Sequence, residues 1–424
     1  MFNVLFVGGG AAGFFGAIQL ASRRPDLKIA ILERGKTVLS KVKISGGGRC
    51  NVTHAAFDPK ELVVNYPRGE KELLGPFHQF SAGDVMQFFE ERGVPLKIED
   101  DGRIFPLSDS SQSIIDCFLA EAAKYNIEIL KNSSVKQIIA PLETEDNWQL
   151  VTNNKTYLSK NLVLSTGSNP KIWEQLKSLG HTISTPVPSL FTFNIKDARI
   201  DGLQGVATQA TVKVLNPTKL KLKGYTIASK NVNHAVLEET GPVLIAHWGL
   251  TGPAILRLSA WGALVLNQMN YQFTIQINWL PDYTSSSLLA YFKVCREQEP
   301  KKTILKSKVV DMPKRLWNSL VKSSGILASD KWADANNDTL KTLAKAITET
   351  TLAVNGKSTF KDEFVTAGGV ALTEVNFKTM ESKVIPRLYF AGEIINVDAI
   401  TGGFNFQNAW TTAYLAAKAI AEKI

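Results

Sequence analysis

Two apolar runs near the start of the chain are separated by a glycine-rich turn and a helix-like stretch. Residues 4–7 are continuously apolar, which predicts a buried strand. Residues 28–33 predict a second strand, which ends in an acid. The order strand, glycine turn, helix, strand is typical of an α/β fold built on a parallel sheet.

Further elements are predicted up to about residue 188. Ser81 begins a helix in capping-box style with Asp84, and Gly93 and Pro95 end it. A second amphipathic helix is predicted over residues 113–125. The predicted strands cover residues 102–106, 127–130, 135–139, 148–152, 155–158 and 162–167.

The pattern of apolar and polar residues changes after about Pro188. Residues 191–280 alternate apolar and polar positions, which predicts short antiparallel strands, and residues 285–350 have a helical pattern. Parallel-sheet character returns in residues 387–393, before an alanine-rich helix predicted over residues 408–423. We therefore predict one α/β domain made of residues 1–188 and 353–424, interrupted by an antiparallel β unit (189–282) and a helical unit (283–352).

The glycine turn carries the first candidate chemistry. Gly8 is suited to a tight turn, Gly10 to close approach of a pyrophosphate, and Gly13 to close packing of helix on strand. Glu33 stands at the spacing of the acid that binds a ribose diol. A glycine turn with only a packing role is the alternative, but the preceding strand and the following acid favour a dinucleotide site.

The charge of the chain suits an anionic cofactor. Its 424 residues are 44% apolar and 21% charged, as in ordinary globular proteins, and the formal net charge is +9. A clustered excess of this sign would suggest nucleic acid or anionic lipid. The basic residues are scattered, however, and Lys219, Lys221 and Lys223 alternate with leucines as on the exposed face of a strand. A nucleic-acid partner is therefore not favoured.

Cysteine spacing and hydropathy indicate the compartment. Cys50, Cys117 and Cys295 form no CxxC pair and no zinc spacing, so we expect free thiols and no metal site. No signal-peptide pattern is visible, and no apolar run approaches 18 residues. We expect a cytoplasmic protein without a membrane-spanning segment.

A second glycine-rich segment lies near the C-terminus. Gly392 and Glu393 follow a predicted strand, and Gly402 and Gly403 precede the last helix, with Asp398 between them. Glycines before a helix expose free amides, which suit an oxyanion or an electron-rich ring edge. An ordinary helix N-terminus is the alternative, and the dinucleotide fold favours the functional interpretation.

Three further strings resemble a known family. KISGGGRCN (43–51), HWGLTGP (247–253) and TAGGV (366–370) are similar to the BaiN/YhiN-like bacterial flavoproteins, also described as NAD(P)/FAD-dependent oxidoreductases or aminoacetone-oxidase-like. The match covers essentially the whole chain in the same order. The resemblance implies an FAD-binding Rossmann-type domain interrupted by a β-barrel-like unit and a small helical unit.

The resemblance also implies which residues hold the cofactor. Carried over, the first glycines would bind the pyrophosphate, Glu33 the adenosine ribose, and residues 43–51 the flavin side. Asp398 with Gly402 and Gly403 would face the ribityl chain and the pyrimidine edge. The full predicted set is Gly8, Gly10, Ala11, Ala12, Gly13, Glu33, Arg34, Lys43, Ser45, Gly46, Gly48, Arg49, Cys50, Asn51, Val135, Thr166, Gly167, Gly392, Glu393, Asp398, Gly402, Gly403, Phe404 and Asn405.

Four residues have open roles. Arg49 could bind a cofactor phosphate or substrate anion, or form a structural ion pair. Cys50 could be a redox thiol, although it has no partner cysteine nearby, or a small packed thiol. His247 could be a proton donor or an ordinary histidine at a strand end. At His54 the chain departs from the family pattern, where a second Asn is expected after the Thr.

The sequence also bears on the source of the electrons. Flavin reductases with a tightly held nicotinamide carry a second GxGxxG, and none follows residue 33. We therefore expect FAD to reduce a conjugated, enone-like small molecule with electrons from transiently bound NAD(P)H. An FAD oxidase of a small amine is the first alternative, and a flavin-containing RNA-binding or tRNA-modifying protein is the second. The residues specify neither the substrate, nor the catalytic acid or base, nor the oligomeric state.

Overall fold

The computed structural model describes residues 1–143, 146–215, 237–358 and 365–424. The chain forms two compact units. The first comprises Met1–Pro188 and Lys361–Ile424, and the second comprises Ser189–Phe360. The strand predicted around Lys219 to Lys223 lies outside the described residues.

The described strands are short and are numbered in chain order. They are β1 (Phe2–Val7), β2 (Ile29–Leu32), β3 (Thr53–His54), β4 (Leu96–Ile98), β5 (Arg103–Pro106), β6 (Glu128–Leu130), β7 (Val135–Ile139), β8 (Trp148–Thr152), β9 (Thr156–Leu164), β10 (Ile183–Pro188), β11 (Thr192–Asn194), β12 (Ala207–Val214), β13 (Glu238–Ala246), β14 (Gly249–Thr251), β15 (Gln272–Asn278), β16 (Thr350–Asn355), β17 (Lys357–Ser358), β18 (Thr366–Val370), β19 (Val375–Asn376), β20 (Glu381–Ser382) and β21 (Leu388–Phe390).

The described α-helices are numbered in the same way. They are α1 (Ala11–Arg23), α2 (Ser40–Ile44), α3 (Pro59–Val63), α4 (Glu70–Gln79), α5 (Ala82–Glu90), α6 (Ser111–Lys124), α7 (Pro170–Ser178), α8 (Pro253–Gln268), α9 (Ser285–Gln298), α10 (Lys314–Ser323), α11 (Asn337–Thr348) and α12 (Phe404–Lys423).

The first unit is organised by a parallel sheet. Strands β21, β9, β1, β2 and β6 lie in that order and pair in parallel. Strands β1 and β2 are almost wholly buried, as a parallel sheet covered on both faces requires. The α/β class with a Rossmann-type domain, expected from the sequence, is confirmed.

Two element predictions are corrected in this unit, and a third is confirmed. Residues 155–158 and 162–167 do not form separate strands: β9 runs continuously from Thr156 to Leu164, because its alternating first half and its fully buried second half belong to one strand. The last helix begins at Phe404 and not at residue 408, and the residue before it, Gly403, is left-handed (φ 93°) and has no side chain to cap the helix. The capping box of Ser81 and Asp84 on α5 is confirmed.

The second unit is a curled antiparallel sheet with helices. Its strands lie in the order β16, β15, β12, β13, β14, β11, β17. Only Gly356 (φ 122°) separates the two edge strands β16 and β17 along the chain, so the sheet curls into a barrel-like form. The sheet and the helices α9 to α11 share one hydrophobic core.

Two features of this unit differ from the sequence interpretation. Helix α8 lies inside the segment predicted to be strands. Its residues are apolar on most faces, so the sequence shows little of the periodicity that would indicate a helix. Strands β16 and β17 complete the second sheet, so residues 353–358 belong to the inserted unit and not to the returning α/β domain. No helix within the described ranges is long and apolar enough to cross a membrane.

A buried histidine joins the connection after α7 to the strands β19 and β20. His181 is 3% exposed, and its Nδ1 lies 3.0 Å from Glu374 Oε2 while its Nε2 lies 3.2 Å from Ser382 Oγ. Burial lowers the pKa of His181, although Glu374 acts in the opposite direction. Burial acts to raise the pKa of Glu374, but hydrogen bonds from Thr182 and His181 outweigh it and leave that pKa below its ordinary value.

These directions predict an acid-sensitive fold. Both groups bind protons more weakly in the folded than in the unfolded chain, so the stability they contribute is present above about pH 6.5 and is lost as the pH falls. We expect the free energy of unfolding from urea titrations to decline between pH 7 and pH 5, by at most about 1.4 kcal/mol per pH unit for one proton. H181N should flatten this decline, whereas H78N, at an exposed position on α4, should not. Equal slopes for wild type and H181N would contradict the assignment.

Candidate cofactor and active site

The N-terminal glycine turn is packed too tightly for any side chain. Gly8 has a φ of 117°, and a Cβ there would lie 2.4 Å from the carbonyl oxygen of Ser165. A Cβ at Gly13 would lie 2.0 Å from the carbonyl oxygen of Gly8, so α1 begins directly against the turn. The amide of Gly8 donates to the carbonyl of Leu32 at 2.8 Å. Strand, turn and helix are thus packed as a dinucleotide-binding unit requires.

Gly10, in contrast, has room for a side chain. It is the N-cap of α1, and a Cβ built on it would meet no atom within 4 Å. Among the described residues, no side chain caps α1, and its first turn, which begins with Ala11 and Ala12, holds no acid. The first amides of the helix and the positive end of its dipole therefore face open space. This is the geometry that binds a pyrophosphate.

Glu33 ties the end of β2 to this turn. Its Oε2 accepts from the Gly9 amide at 2.9 Å, and its Oε1 accepts from the Gly35 amide at 2.7 Å. Each carboxylate oxygen keeps further acceptor capacity, so its role toward the adenosine ribose stays a prediction. Arg34 is exposed beside it, and Val135 is partly buried at the start of β7.

The C-terminal glycine segment reaches the same edge of the sheet. The Ala391 amide, just after β21, donates to the carbonyl of Leu164 at 3.0 Å. A Cβ at Gly392 would lie 3.3 Å from Ala12 Cβ and 3.7 Å from Ala409 Cβ. The two ends of the chain therefore meet where α1 and α12 begin.

An ion pair lies beside this junction. Thr166 and Gly167 follow β9, and a Cβ at Gly167 would lie 3.5 Å from Glu393 Oε2. The same oxygen of Glu393 accepts from Lys41 Nζ at 2.9 Å. The sequence did not single out Lys41, because a lone exposed lysine carries no motif signal. The predicted Lys43 is also exposed, two residues further along the chain.

The SGGGRCN segment forms a compact turn. Gly46 is left-handed (φ 56°), and a Cβ there would lie 2.9 Å from the Asn51 amide nitrogen. The Cys50 amide donates to the Ser45 carbonyl at 3.0 Å. A Cβ at Gly48 would meet no atom within 4 Å, so this glycine leaves open space as Gly10 does.

The end of this segment meets the glycines before α12. A Cβ at Gly403 would lie 2.5 Å from the Thr53 carbonyl oxygen and 2.8 Å from Asn51 Oδ1. Trp410 Nε1 on α12 donates to the Val52 carbonyl at 2.9 Å. The structure thus brings together the two segments that the resemblance places on the flavin side.

Two predicted cofactor contacts are engaged within the turn itself. Asp398 is fully buried and forms an ion pair with Arg68, whose Nε donates to Asp398 Oδ1 at 2.5 Å. Asn405 accepts from the Ala399 amide at 3.0 Å and donates to the Ala399 carbonyl at 3.1 Å. As arranged, both side chains shape the loop that leads to Gly402, and the role of Asp398 toward the ribityl chain stays a prediction.

The structure favours the ion-pair alternative for Arg49. Its Nη1 lies 2.6 Å from Glu99 Oε1 and 3.3 Å from Asp109 Oδ1. Its guanidinium also stacks 3.8 Å from the ring centre of Phe105. Since the side chain is held by two carboxylates and a ring, these contacts favour the structural ion pair, and the contact with an anion stays a prediction.

Cys50 has the properties of a packed thiol. It is fully buried, and burial raises its thiol pKa to about 12, although a hydrogen bond with Ser45 acts in the opposite direction. The reactive thiolate is therefore scarce at neutral pH. Cys117 and Cys295 are also buried, and all three thiols are free.

The remaining candidates are the histidines. His247 is exposed in the two-residue turn between β13 and β14 of the second unit. His54 stacks on Phe404 with ring centres 4.6 Å apart, and its Nε2 lies 3.1 Å from the Asp101 carbonyl oxygen. Burial lowers the pKa of His54, so the neutral ring is favoured. Within the described ranges, no group of three or more His, Cys, Asp or Glu side chains is placed to hold a metal ion.

The residues present fit FAD. Helix α1 has no side-chain cap and leaves open space at Gly10, where a pyrophosphate would bind, and Glu33 follows β2 directly. Near the other glycine turn, buried polar atoms have no protein partner: Asn51 Oδ1 and both side-chain polar atoms of Asn408. Buried polar atoms are normally satisfied, so these atoms indicate a polar ligand at this end. Asn408 is not among the residues predicted from the sequence, because it lies within α12, after the glycines.

The sequence pattern of one family matches nearly the whole chain. This family is described as "HI0933-like protein Rossmann domain", and the match covers residues 2–419. The chain belongs to this family. The HI0933-like chain is therefore an FAD-dependent oxidoreductase with a Rossmann-type cofactor domain, as the resemblance implied.

Full-length relatives of the HI0933-like chain carry two different names. A 3-dehydro-bile acid delta(4,6)-reductase of Clostridium scindens is 26% identical over 431 residues, covering 100% of both chains. A ribosomal RNA dihydrouridine synthase of Haemophilus influenzae is 27% identical over 430 residues, covering 99% of this chain and 98% of the relative.

A solved structure shares the fold of the HI0933-like chain. It is a 3-ketosteroid-delta4-(5alpha)-dehydrogenase from Rhodococcus jostii, with a TM-score of 0.51 and 12% identity. The superposition covers 99% of this chain and 96% of that chain. At this identity the likeness concerns the fold alone.

The open space at Gly10 gives a direct test of the cofactor site. G10A adds a methyl group where no protein atom is in contact, so the thermal stability of the apoprotein should stay close to that of wild type. The methyl would occupy the space in front of the α1 amides, and we expect the FAD dissociation constant to rise at least about tenfold. Fluorescence titration of the apoprotein with FAD measures this change.

G13A is the matched contrast. Its methyl would lie 2.0 Å from the Gly8 carbonyl oxygen, so this variant should destabilise the apoprotein by about 1–3 kcal/mol as overpacking does. A G10A protein that binds FAD as tightly as wild type would argue against a pyrophosphate at this helix.

Proposed function

We propose that the chain reduces a carbon–carbon double bond conjugated to a carbonyl group, with electrons from transiently bound NAD(P)H. The chemistry supplied by bound FAD is hydride transfer. The observation that carries the proposal is the uncapped start of α12 after Gly402 and Gly403, next to the unpartnered polar atoms of Asn51 and Asn408. The full-length bile acid reductase relative supports the same reaction class.

The start of α12 is suited to stabilise negative charge. Gly403 is left-handed, no side chain in the described structure caps the helix, and its first turn contains no acid. A helix of 20 residues directs the positive end of its dipole and its free amides toward this point. A reduced flavin ring carries negative charge at its pyrimidine edge, and fixed amides stabilise such charge without reorganisation.

The proton in such a reduction has to come from a residue or from water. His54 is one titratable group beside the α12 turn, since its ring stacks on Phe404 and a Cβ at Gly402 would lie 3.5 Å from its Cδ2. The lowered pKa of His54 makes it a poor acid at neutral pH. The role of His247 as a proton donor stays a prediction.

A second candidate substrate is a uridine in ribosomal RNA. Two relatives that are each 27% identical, one from Haemophilus influenzae and one from Escherichia coli, are named ribosomal RNA dihydrouridine synthase. The double bond of a uracil ring is also conjugated to a carbonyl, so the same flavin chemistry serves both substrates. The net charge of +9 supports an RNA substrate, whereas the scatter of the basic residues supports a small molecule.

The donor is tested with the purified holoprotein under anaerobic conditions. We expect the flavin absorbance to bleach on mixing with NADH or NADPH, and to recover when a conjugated steroid enone is added. Loss of the double bond in the product, followed by mass spectrometry, measures turnover. Bleaching by a small amine and not by either nicotinamide would instead favour the amine oxidase.

The two substrates are separated by a parallel assay. Ribosomal RNA made without dihydrouridine is incubated with the enzyme and NADPH, and dihydrouridine is then measured by mass spectrometry. Formation of dihydrouridine without enone turnover would favour the RNA substrate.

The cytoplasm is the compartment that we propose, supported by three free buried thiols.

A further inference from the structure

One ion pair in the first unit is almost entirely removed from water. The side chains of Arg68 and Asp398 are 7% and 0% exposed, and the guanidinium contacts both carboxylate oxygens. The backbones of the two residues also form an isolated antiparallel bridge. Removing both charges from water costs free energy that their attraction barely offsets, so the pair adds little to the stability of the fold. Its burial therefore points to another role.

The pair anchors the loop before α12 to the segment before α4. A Cβ at Gly69 would lie 2.6 Å from Val397 Cγ2, so the two segments are in direct contact there. On the other side of the pair, the Ile400 amide donates to the Asn65 carbonyl at 3.0 Å. The loop is therefore held by contacts before, at and after Asp398.

The same loop is closed at its far end. The side chain of Asn405 makes two hydrogen bonds to the backbone of Ala399, and the Tyr66 hydroxyl donates to the Phe404 carbonyl at 2.5 Å. Gly402 and Gly403 lie between these fixed points. Their position is thus determined by the Arg68 side of the loop and by the start of α12.

We propose that Arg68 and Asp398 are a positioning pair that holds the turn of Gly402 and Gly403 against the flavin and balances the charge beside it. The bidentate guanidinium fixes the direction of the loop, which a single point charge cannot do. The balanced pair also keeps an unpaired carboxylate away from the negative charge of the reduced cofactor. This inference rests on FAD dependence and not on the proposed substrate.

Two variants separate geometry from charge. R68K keeps the positive charge but loses the planar fork, so it should weaken FAD binding at least about tenfold with little change in the flavin midpoint potential. D398N loses the anchor of the loop, so it should also weaken FAD binding. It leaves an unbalanced guanidinium, which favours the anionic reduced flavin, so it should raise the midpoint potential. FAD titration of the apoprotein and a dye-coupled redox titration of the holoprotein measure these two quantities.

The matched control is E121Q. Glu121 is 8% exposed and accepts from Arg92 Nε at 2.9 Å in the same unit, so it is a second partly buried carboxylate–guanidinium pair. This variant should lower the thermal stability without changing the FAD dissociation constant or the midpoint potential. If R68K and D398N behave like E121Q, the pair is only structural and the proposal is overturned. If R68K fails to fold, D398N still tests both FAD binding and the midpoint potential. If D398N fails to fold, R68Q takes its place: it leaves an unbalanced carboxylate, so it should weaken FAD binding and lower the midpoint potential.

None of these readouts needs a substrate. An absence of enone reduction would leave FAD binding and the midpoint potential measurable, so failure of the proposed function and failure of this inference are distinguishable. Unchanged potentials in D398N together with weakened FAD binding would remove the charge-balancing part and overturn the proposal as stated.

Discussion

The packing of α1 against α12 is the interaction on which the cofactor site depends. Gly16 of α1 lies so close to α12 that a Cβ there would be 3.4 Å from Ala413 Cβ. This approach places Gly392 between Ala12 and Ala409, at the starts of both helices. Two helix N-termini from opposite ends of the chain therefore point to one edge of the parallel sheet, and an anionic dinucleotide can be held at both ends.

The two carboxylates of the site, Glu33 and Asp398, form hydrogen bonds within the protein. Glu33 accepts two backbone amides around the N-terminal turn, and Asp398 pairs with Arg68 beneath the C-terminal turn. These contacts hold the glycine loops in shape before any ligand is present. Preorganised amides stabilise charge more effectively than mobile ones, which connects the structure of the loops to the expected reactivity of the cofactor.

Local patterns predicted the elements that carry strong local signals. The fingerprint from Gly8 to Glu33 and the capping box at Ser81 depend on neighbours in the chain, and both are present as predicted. Helix α8 was missed because an apolar segment without clear periodicity can be a buried helix or a buried strand. Strand β9 was divided in two because its burial changes along its length, which depends on what packs against it.

The glycine positions, the acid after β2 and the family resemblance that implies FAD can all be recognised in the amino-acid sequence. The contacts of the polar residues in these motifs become visible only in the folded chain. Arg49 lies in a cofactor motif but pairs with Glu99, and Asp398 pairs with Arg68, a residue with no motif signal. The physical reason is that glycine requirements are set by local backbone geometry, whereas the partner of a charged side chain is set by the segments that folding brings beside it.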